Sequence, residues 1–332
     1  MNGDALPQGA VPDSATPNGA QPPADGAQPP TPSAPTSQGA QPEPTPPALR
    51  LLAVHAHPDD ESSKGAATMA KYVAEGVDVL VATLTGGERG DILNPHLQDD
   101  PDLPARMPEV RRAEMAAAAE ALGVRYQFMG FVDSGFPQGD PPPPLPEDAF
   151  AAIPAAVAAE PLAALIRTFR PHVVTTYDPS GGYPHPDHVH THAVTVEAIE
   201  QAADAERTPP GQRAYAVPKV YYDHGFSRER SMRLHEALVE RGLDSPFEQW
   251  LERDATRKRR LADPTTRIDV ADYFDQRDAA LRAHASQIDP DGFFFAVPRE
   301  VERIVWPWEE FELAHSTVPV ETPETDLFAG LR

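Results

Sequence analysis

From residue 50 onward, short apolar segments alternate with longer segments in which apolar residues recur every three or four positions. The apolar segments predict strands, and the longer segments predict helices with one apolar face. The predicted strands are 50–55, 77–85, 125–131, 172–178 and 217–227. The predicted helices are 62–75, 108–123, 160–170, a segment that ends near residue 203, 229–241, 247–253 and 272–286.

The order of these elements predicts an α/β fold. Segment 77–85 is almost continuously apolar, which is typical of a parallel strand covered on both faces of its sheet. Repeated strand–helix units join parallel strands by right-handed crossovers. We therefore expect a Rossmann-like, mostly parallel sheet flanked by helices, with a mixed C-terminal extension, in one domain over residues 49–332.

Residues 1–48 differ from the rest of the chain in composition. They contain 13 of the 40 prolines, four acidic residues and no lysine or arginine. A segment of this kind cannot bury enough apolar surface to offset the entropy lost on ordering, so we predict a disordered tail. It lacks the basic start and apolar centre of a signal peptide. No later segment is long and apolar enough to predict a membrane span.

Charge and cysteine content narrow the classes of partner. A net charge of −23 argues against binding to nucleic acid or to an anionic membrane surface. The chain has no cysteine, so it has neither disulfides nor thiolate metal ligands. Any transition metal must therefore be held by His, Asp or Glu. These features fit a cytoplasmic protein that acts on a small molecule.

Two segments rich in potential metal ligands follow predicted strands. "HAHPDDE", residues 55–61, follows the first, and "GGYPHPDHVHTH", residues 181–192, follows the fourth. Ligands of parallel α/β sheets gather beyond the carboxyl ends of the strands, so we expect the two segments to meet. Two histidines and a carboxylate with one vacant position are typical of catalytic zinc. Taken alone, a His-Pro-Asp sequence is more often a loop with a helix cap.

The two motifs carry a resemblance to a known family. "AHPDDE" after one apolar strand and "HPDH" after a later one resemble the zinc-dependent de-N-acetylases of the PIG-L/LmbE family, which act on N-acetylglucosaminyl compounds. The segments "TLTGGERGDILNP", "MGFVDSG", "YYDHGFSRER", "RAHASQIDP" and "ETDLFAG" are similar to the members of that family that cleave mycothiol S-conjugates. The resemblance extends from about residue 50 to the C-terminus.

The resemblance implies roles for the residues of both motifs. It places His57, Asp60 and His188 as ligands of Zn²⁺, and the same ligand set also suits Fe²⁺. It implies that Asp59 is the general base. Adjacent side chains point in different directions, so Asp60 can bind the metal while Asp59 faces the substrate. The catalytic residues expected besides Asp59 are His185 as general acid or oxyanion donor, Asp187 holding its tautomer and raising its pKa, and Tyr183 donating to the oxyanion.

Other polar residues near the motifs are candidates for binding substrate. They are Lys64, Glu88, Arg106 and Asp133. Lys64 is the most informative of them, because a lysine in "DESSKG" is similar to the amidases rather than to the biosynthetic deacetylases. The alternative for Lys64 is a solvated helix residue, and for Arg106 a surface ion pair. We expect His55, Glu61, His192 and His284 to support the site rather than to bind metal.

The resemblance therefore implies a zinc-dependent amide hydrolase acting on a thiol–sugar conjugate. It would cleave a mycothiol S-conjugate into a mercapturic acid and glucosaminyl-inositol, a detoxification reaction. One alternative is the deacetylase of N-acetylglucosaminyl-inositol, which performs the same chemistry on a smaller acyl group. A more distant alternative is a non-catalytic protein that binds a metal or a glycan.

Overall fold

The computed structural model describes residues 48–225, 227–255 and 263–332. Its strands are β1 (Arg50–His55), β2 (Asp78–Thr85), β3 (Arg125–Phe131), β4 (Val173–Thr176), β5 (Lys219–His224), β6 (Thr266–Asp269) and β7 (Trp308–Ser316). Its α-helices are α1 (Asp60–Ser63), α2 (Ala66–Ala74), α3 (Leu103–Leu122), α4 (Ala155–Phe169), α5 (Pro186–Ala203), α6 (Arg228–Glu240), α7 (Glu248–Ala255), α8 (Phe274–Ala283) and α9 (Arg299–Val305). The predicted disordered tail lies outside the described residues, except for Ala48.

The seven strands form one sheet in the order β3-β2-β1-β4-β5-β7-β6. The first five strands of that order run parallel. β7 is antiparallel to β5, and β6 is antiparallel to β7. The predicted α/β fold with a mostly parallel sheet is confirmed, and the mixed extension consists of the antiparallel pair and its helices. None of the helices that the structure describes is both long and apolar enough to cross a bilayer.

Two apolar clusters cover opposite faces of the sheet. Along β1, Leu51 and Ala53 pack into one cluster with α2, α3 and α8, whereas Leu52 and Val54 pack into the other with α4 and α5. The alternation follows from the period of two in a strand, which sends successive side chains to opposite faces. A central strand buried on both faces is rigid, so the loop that follows β1 begins from a fixed position.

The predicted helix 62–75 is wrong in its first turns. The chain forms the short helix α1 at 60–63 and then breaks at Lys64 and Gly65 before α2 begins at Ala66. Gly65 has a φ of 75°, a left-handed conformation that glycine adopts readily, and it directly precedes the first turn of α2. Lys64 lies at this break, four residues after Asp60, and its Nζ bonds Asp60 Oδ1 at 2.8 Å.

Other differences from prediction arise from prolines and charged strands. α3 and α4 each begin five residues before the predicted start, with Pro108 and Pro161 inside the helix rather than at its first turn. β6, β7 and α9 were not predicted. β6 has only four residues, and "WEEFELAHS" in β7 contains three glutamates, so its pattern does not alternate as a half-buried strand should.

A buried ion pair fastens the C-terminal segment to the sheet. Lys219 Nζ lies 2.5 Å from Glu324 Oε1, and both side chains are almost fully buried. The Tyr221 hydroxyl donates to Glu324 Oε2 at 2.8 Å, and the Thr266 hydroxyl donates to the same oxygen at 3.3 Å. Through these bonds Glu324 connects β5 and β6, so it stabilises the part of the sheet that contains the antiparallel strands.

We expect Glu324→Ala to reduce the free energy of unfolding by about 3–5 kcal/mol, because it leaves the Lys219 ammonium buried and unpaired. Urea unfolding followed by circular dichroism would measure the change. Asp78→Ala is the control, since it removes the exposed Asp78–Arg125 pair and should change the unfolding free energy by about 1 kcal/mol or less. Equal losses in the two variants would contradict a structural role for the buried pair.

Candidate metal centre and active site

The candidate site lies beside β1, where the strand order changes direction: β2 and β3 extend the sheet on one side of β1, and β4 and β5 extend it on the other. β1 pairs with β2 on one side and β4 on the other, so the loops after β1 and β4 leave the same edge of neighbouring strands. A crevice forms at such a position in open α/β sheets. The two ligand-rich segments meet there as predicted, with His188 Nε2 3.3 Å from Asp60 Oδ2.

Three ligand atoms converge at the crevice. Asp60 Oδ2 lies 3.4 Å from His57 Nδ1 and 3.3 Å from His188 Nε2. His188 Nδ1 donates to the Gly181 carbonyl at 3.1 Å, which leaves Nε2 with its lone pair, buried and without a hydrogen-bond partner among the described residues. His57 Nε2 lies 3.1 Å from Asp187 Oδ2, an acceptor that keeps a proton on Nε2, so Nδ1 is the nitrogen that can supply a lone pair when a metal ion takes the place of its proton. Two imidazole lone pairs and one carboxylate oxygen fit a metal ion.

The electrostatics of the cluster also fit a cation. Burial alone would lower the pKa of His57, but hydrogen bonds to Asp133, Asp187 and Asp60 raise it well above its usual value. Burial would raise the pKa of Asp60, but His188 and Lys64 hold it well below the usual value. The carboxylates around His57 thus attract a proton, and the same negative field attracts a metal ion.

His185 borders the cluster without having a free lone pair. Its ring centroid is 4.7 Å from that of His57, and its atoms are near enough to His57 and His188 for a three-histidine metal site. However, the Asp187 backbone N–H donates to His185 Nδ1 at 3.1 Å, so the proton of the neutral ring is on Nε2. A protonated nitrogen donates hydrogen bonds and does not bind metal, which separates His185 from the ligands.

The expected contact of the Asp187 carboxylate with His185 is wrong. The carboxylate instead accepts hydrogen bonds from His57 Nε2 and from the backbone N–H and hydroxyl of Ser134. The expected rise in the pKa of His185 is wrong too, because burial and the neighbouring His57 and His188 lower it to about 4. The local cause is the helix start: Asp187 is the second residue of α5, so its N–H, and not its side chain, reaches His185.

Asp59 points away from the ligand Asp60, as expected for two adjacent side chains. It adopts a φ of 112°, and its Oδ2 accepts a hydrogen bond from Arg111 Nη2 at 3.2 Å. Burial raises the pKa of Asp59 although the Arg111 charge opposes this. The left-handed conformation is rare for a residue other than glycine and marks local backbone strain. It keeps Asp59 at the crevice and 23% exposed.

Glu61 and His284 stabilise the backbone at Asp59 through a chain of hydrogen bonds. Glu61 Oε2 accepts the Asp59 backbone N–H at 2.9 Å, and His284 Nε2 lies 2.7 Å from Glu61 Oε1. Burial would raise the pKa of Glu61, but the His284 imidazole and these hydrogen bonds lower it to about 2. The predicted supporting position of His284 is confirmed: the residue follows α8 and is fully buried.

The substrate-binding candidates lie in different surroundings. Lys64 Nζ bonds Asp60 Oδ1 at 2.8 Å, so it contacts the ligand carboxylate directly. Asp133 accepts the backbone N–H groups of Arg89 and Gly135 and lies 3.4 Å from His57 Nε2. Glu88 has a buried Oε2 without a hydrogen-bond partner in the part of the chain that the structure describes.

Arg106, the fourth substrate-binding candidate, and Tyr183, a catalytic candidate, are more exposed. Arg106 projects into solvent from α3. Tyr183 is 46% exposed, and its ring centroid lies 4.6 Å from that of His188. Burial and the charge of Asp60 raise the pKa of the Tyr183 hydroxyl, so it is protonated and able to donate at neutral pH. Tyr183 therefore lies at the mouth of the crevice, whereas Asp133 and Lys64 form its buried sides.

Arg111 and Tyr177 belong to the site and were not predicted. Arg111 is 2% exposed and donates to the carbonyls of Pro58 and Gly87 as well as to Asp59. A Cβ at Gly87 would lie 2.5 Å from Arg111 Cζ, so the glycine pair after β2 could have indicated a side chain in close contact. The Tyr177 ring stacks on His188 at 4.5 Å, and its hydroxyl accepts the Ala56 N–H at 2.9 Å.

Two further histidines support the site without joining it, as expected. His55 is 1% exposed, and its ring lies edge-on to Tyr177 at 5.9 Å. Burial lowers the pKa of His55 to about 4, so its ring is neutral at pH 7. His192 Nδ1 lies 3.0 Å from the Tyr177 carbonyl oxygen, which directs it towards the loop and away from the three ligand atoms.

The fold and the cluster define an α/β protein with a candidate metal centre at its topological switch point. Residues 52–199 match the family model described as PIG-L: GlcNAc-PI de-N-acetylase. The chain is 58% identical over 286 residues to the mycothiol S-conjugate amidase of Streptomyces coelicolor, covering 86% of this chain and 98% of that protein. The chain belongs to the PIG-L family of de-N-acetylases.

Other relatives agree with this assignment. A 1D-myo-inositol 2-acetamido-2-deoxy-alpha-D-glucopyranoside deacetylase of Nocardioides is 39% identical over 301 residues, covering 85% of this chain and 98% of the relative. Among solved structures, the N,N'-diacetylchitobiose deacetylase of Pyrococcus horikoshii matches with a TM-score of 0.55 at 19% identity, covering 80% and 84% of the two chains. The structural match shows the shared fold.

We expect Asp187→Ala to weaken metal binding by about 10- to 100-fold, because His57 loses the carboxylate that orients it. Titration of the metal-free protein with Zn²⁺ against a competing chelator would measure the affinity. Asp148→Ala is the control, since Asp148 is exposed and pairs only with Arg89 among the described contacts. An Asp187→Ala variant with unchanged affinity would contradict the predicted ligand arrangement.

Proposed function

We propose that this protein is a zinc-dependent amide hydrolase that cleaves mycothiol S-conjugates into a mercapturic acid and glucosaminyl-inositol. The observation that carries the proposal is the 58% identity to the Streptomyces coelicolor amidase over 98% of that relative. Residues 49–332 would form the catalytic domain. The proposal also locates the protein in the cytoplasm, where thiols are kept reduced.

In this proposal His57, Asp60 and His188 hold the zinc ion. Bound zinc would lower the pKa of water to about 7 and polarise the amide carbonyl. Lys64 neutralises the second oxygen of Asp60, with Nζ 2.8 Å from Oδ1. One oxygen of Asp60 therefore remains directed at the two histidines, and the other stays fixed by the lysine.

Asp59 is the proposed general base. Its raised pKa, caused by burial, makes it a better proton acceptor than an ordinary aspartate, while Arg111 keeps its carboxylate form populated. Asp59 would accept the proton of the attacking water and later transfer it to the nitrogen of the leaving amine. One carboxylate in this way serves both halves of the reaction, and the protons balance without a second acid.

His185 is proposed to stabilise the oxyanion. With a pKa of about 4 it is neutral at pH 7, and its proton is on Nε2 because Nδ1 accepts the Asp187 N–H. A neutral imidazole donates a hydrogen bond to the developing negative charge and is a poor source of a whole proton. The protonated Tyr183 hydroxyl at the crevice mouth would donate a second hydrogen bond.

We expect Asp59→Asn to lower kcat by about 10²- to 10⁴-fold, because an amide cannot accept the proton of the attacking water. Zinc content, measured by metal analysis of the same sample, should stay at the wild-type stoichiometry, since Asp59 is not one of the proposed ligands and its Oδ2 bonds Arg111. Full activity in a zinc-loaded Asp59→Asn variant would rule out this residue as the base.

The biosynthetic deacetylase is the second candidate, supported by the 39% identity to the Nocardioides relative. A comparison of kcat/KM on a mycothiol S-conjugate and on N-acetylglucosaminyl-inositol, with one zinc-loaded preparation, separates the two functions. We expect the S-conjugate to be the better substrate by at least about tenfold. A preference for N-acetylglucosaminyl-inositol would overturn the proposed function in favour of the deacetylase.

A further inference from the structure

A cavity beside the metal cluster has no part in the chemistry described above. It provides about 60 Å³ for small molecules, within a depression whose whole empty volume, open solvent included, is about 750 Å³. Residues 62–65, the end of β5, α8 and the segment 293–310 surround it. Lys64 lines this cavity and also bonds Asp60, so the cavity begins one side chain away from the metal ligands.

Aromatic side chains form much of the cavity wall. They are Phe247, Phe293, Phe294, Trp306 and Trp308. Trp306 and Trp308 meet edge to face, with ring centroids 5.4 Å apart. Walls of this kind favour an apolar group or a sulfur atom, because thioethers make favourable contacts with aromatic rings.

The arginines of the wall do not make the cavity a binding site for anions. Arg230, Arg277 and Arg299 all bond the buried carboxylate of Glu302, at 2.9, 2.9 and 2.7 Å. Arg277 and Arg299 also contact Asp278. Glu302 and Asp278 offset most of this positive charge, and the carboxylates of Glu309 and Glu310 also line the cavity, so the wall has no excess of positive charge.

Asp223 is a polar residue of this cavity that lacks partners on both of its oxygens; Glu310 Oε2 and Trp306 Nε1, which also line the cavity, are single buried atoms without a partner among the described residues. Asp223 is 9% exposed, and both carboxylate oxygens are buried without a hydrogen-bond partner among the residues that the structure describes. Burial raises the pKa of Asp223 to about 8, although the nearby Lys64 charge lowers it. A buried acceptor without a partner destabilises the free protein, and a ligand that supplies an N–H would relieve that penalty.

We propose that the cavity binds the acyl half of the substrate, the S-substituted N-acetylcysteinyl group, with Asp223 accepting a hydrogen bond from its acetamide N–H. This inference rests on the proposed function, because only the S-conjugate carries such a group. The thioether would lie against the aromatic wall. A volume of about 60 Å³ corresponds to roughly four water positions, which suits the acetamide and leaves a variable S-substituent in the wider depression.

The inference also explains discrimination against the smaller substrate. The acyl half of N-acetylglucosaminyl-inositol is an acetyl group, which has neither an N–H for Asp223 nor a thioether for the aromatic wall. A site that leaves a buried polar group unpaired rejects an analogue that lacks the matching partner. Asp223 would thus determine specificity by binding, at a distance from the zinc ligands.

The first test is the affinity of the zinc-loaded protein for N-acetyl-S-benzylcysteine, measured by calorimetric titration. Asp223→Leu should weaken this binding by about tenfold or more, the effect of one lost hydrogen bond to a charged or buried acceptor. Its melting temperature should not fall, because an apolar side chain replaces an unpaired polar one. Asp223→Asn keeps an acceptor oxygen and should retain more affinity than Asp223→Leu. Wild-type affinity in Asp223→Leu would overturn the inference.

The second test removes the partner from the substrate. A mycothiol S-benzyl conjugate with hydrogen in place of the acetamide should lose about tenfold in kcat/KM with the wild-type protein. With Asp223→Leu the same change should cause little further loss, since the hydrogen bond is already absent. Losses that multiply independently would show that Asp223 and the acetamide do not interact, and would contradict the inference.

Glu312→Gln is the matched control for both tests. Glu312 lies on β7, next to the Phe311 that pairs with Asp223, and it does not line the cavity. Its substitution should leave binding and turnover at wild-type values. If the wild-type protein fails to hydrolyse the S-benzyl conjugate, the proposed function is wrong. The Asp223-dependence of N-acetyl-S-benzylcysteine binding still decides the inference about the cavity in that case.

Discussion

The Asp60 carboxylate is buried at the end of the central strand, and the arrangement of the site follows from the need to neutralise it. One oxygen faces the lone pairs of His57 and His188, and the other is paired with Lys64. A buried charge is tolerated only when it is paired or bound to metal. Lys64 follows Asp60 by four residues, a spacing at which side chains on one helical turn meet, and this spacing brings its ammonium group to the second oxygen.

A second layer of carboxylates fixes what surrounds Asp60. Asp187 and Asp133 hold His57 by its Nε2, so its Nδ1 remains available. Glu61 holds the Asp59 backbone in a left-handed conformation and is itself fixed by His284, from the far end of α8. The proposed ligands, base and oxyanion donor lie in the loops after β1 and β4 or in the first turn of the helix that follows, and His57 and Asp59 are each bonded by a side chain on another element. Sites supported in this way lose less entropy when substrate is bound.

Lys64 lies between two regions with different tasks. On one side is a largely buried, highly charged cluster suited to a cation, and on the other is an aromatic cavity whose arginines are already paired with Glu302. Chemistry and recognition of the acyl group are thus separated by a single side chain. The interpretation of Lys64 as a substrate contact stays a prediction, and the structure adds a contact with Asp60 that any such role must preserve.

The sequence by itself determined the parallel sheet, the two strand ends at which ligands gather, and the pairing of "HAHPDDE" with the later "HPDH". These features depend on periodicity and on local spacing, which a chain carries without its fold. Only the tertiary structure decided that the Asp187 carboxylate contacts His57 rather than His185, that Arg111 rather than the exposed Arg106 reaches Asp59, and that Asp223 is left without a partner. The first two of these contacts join residues 130 and 52 positions apart, and β6 and β7 are likewise defined by long-range pairing. The partners in these contacts depend on how whole helices and strands pack together, and a local sequence pattern does not contain that information.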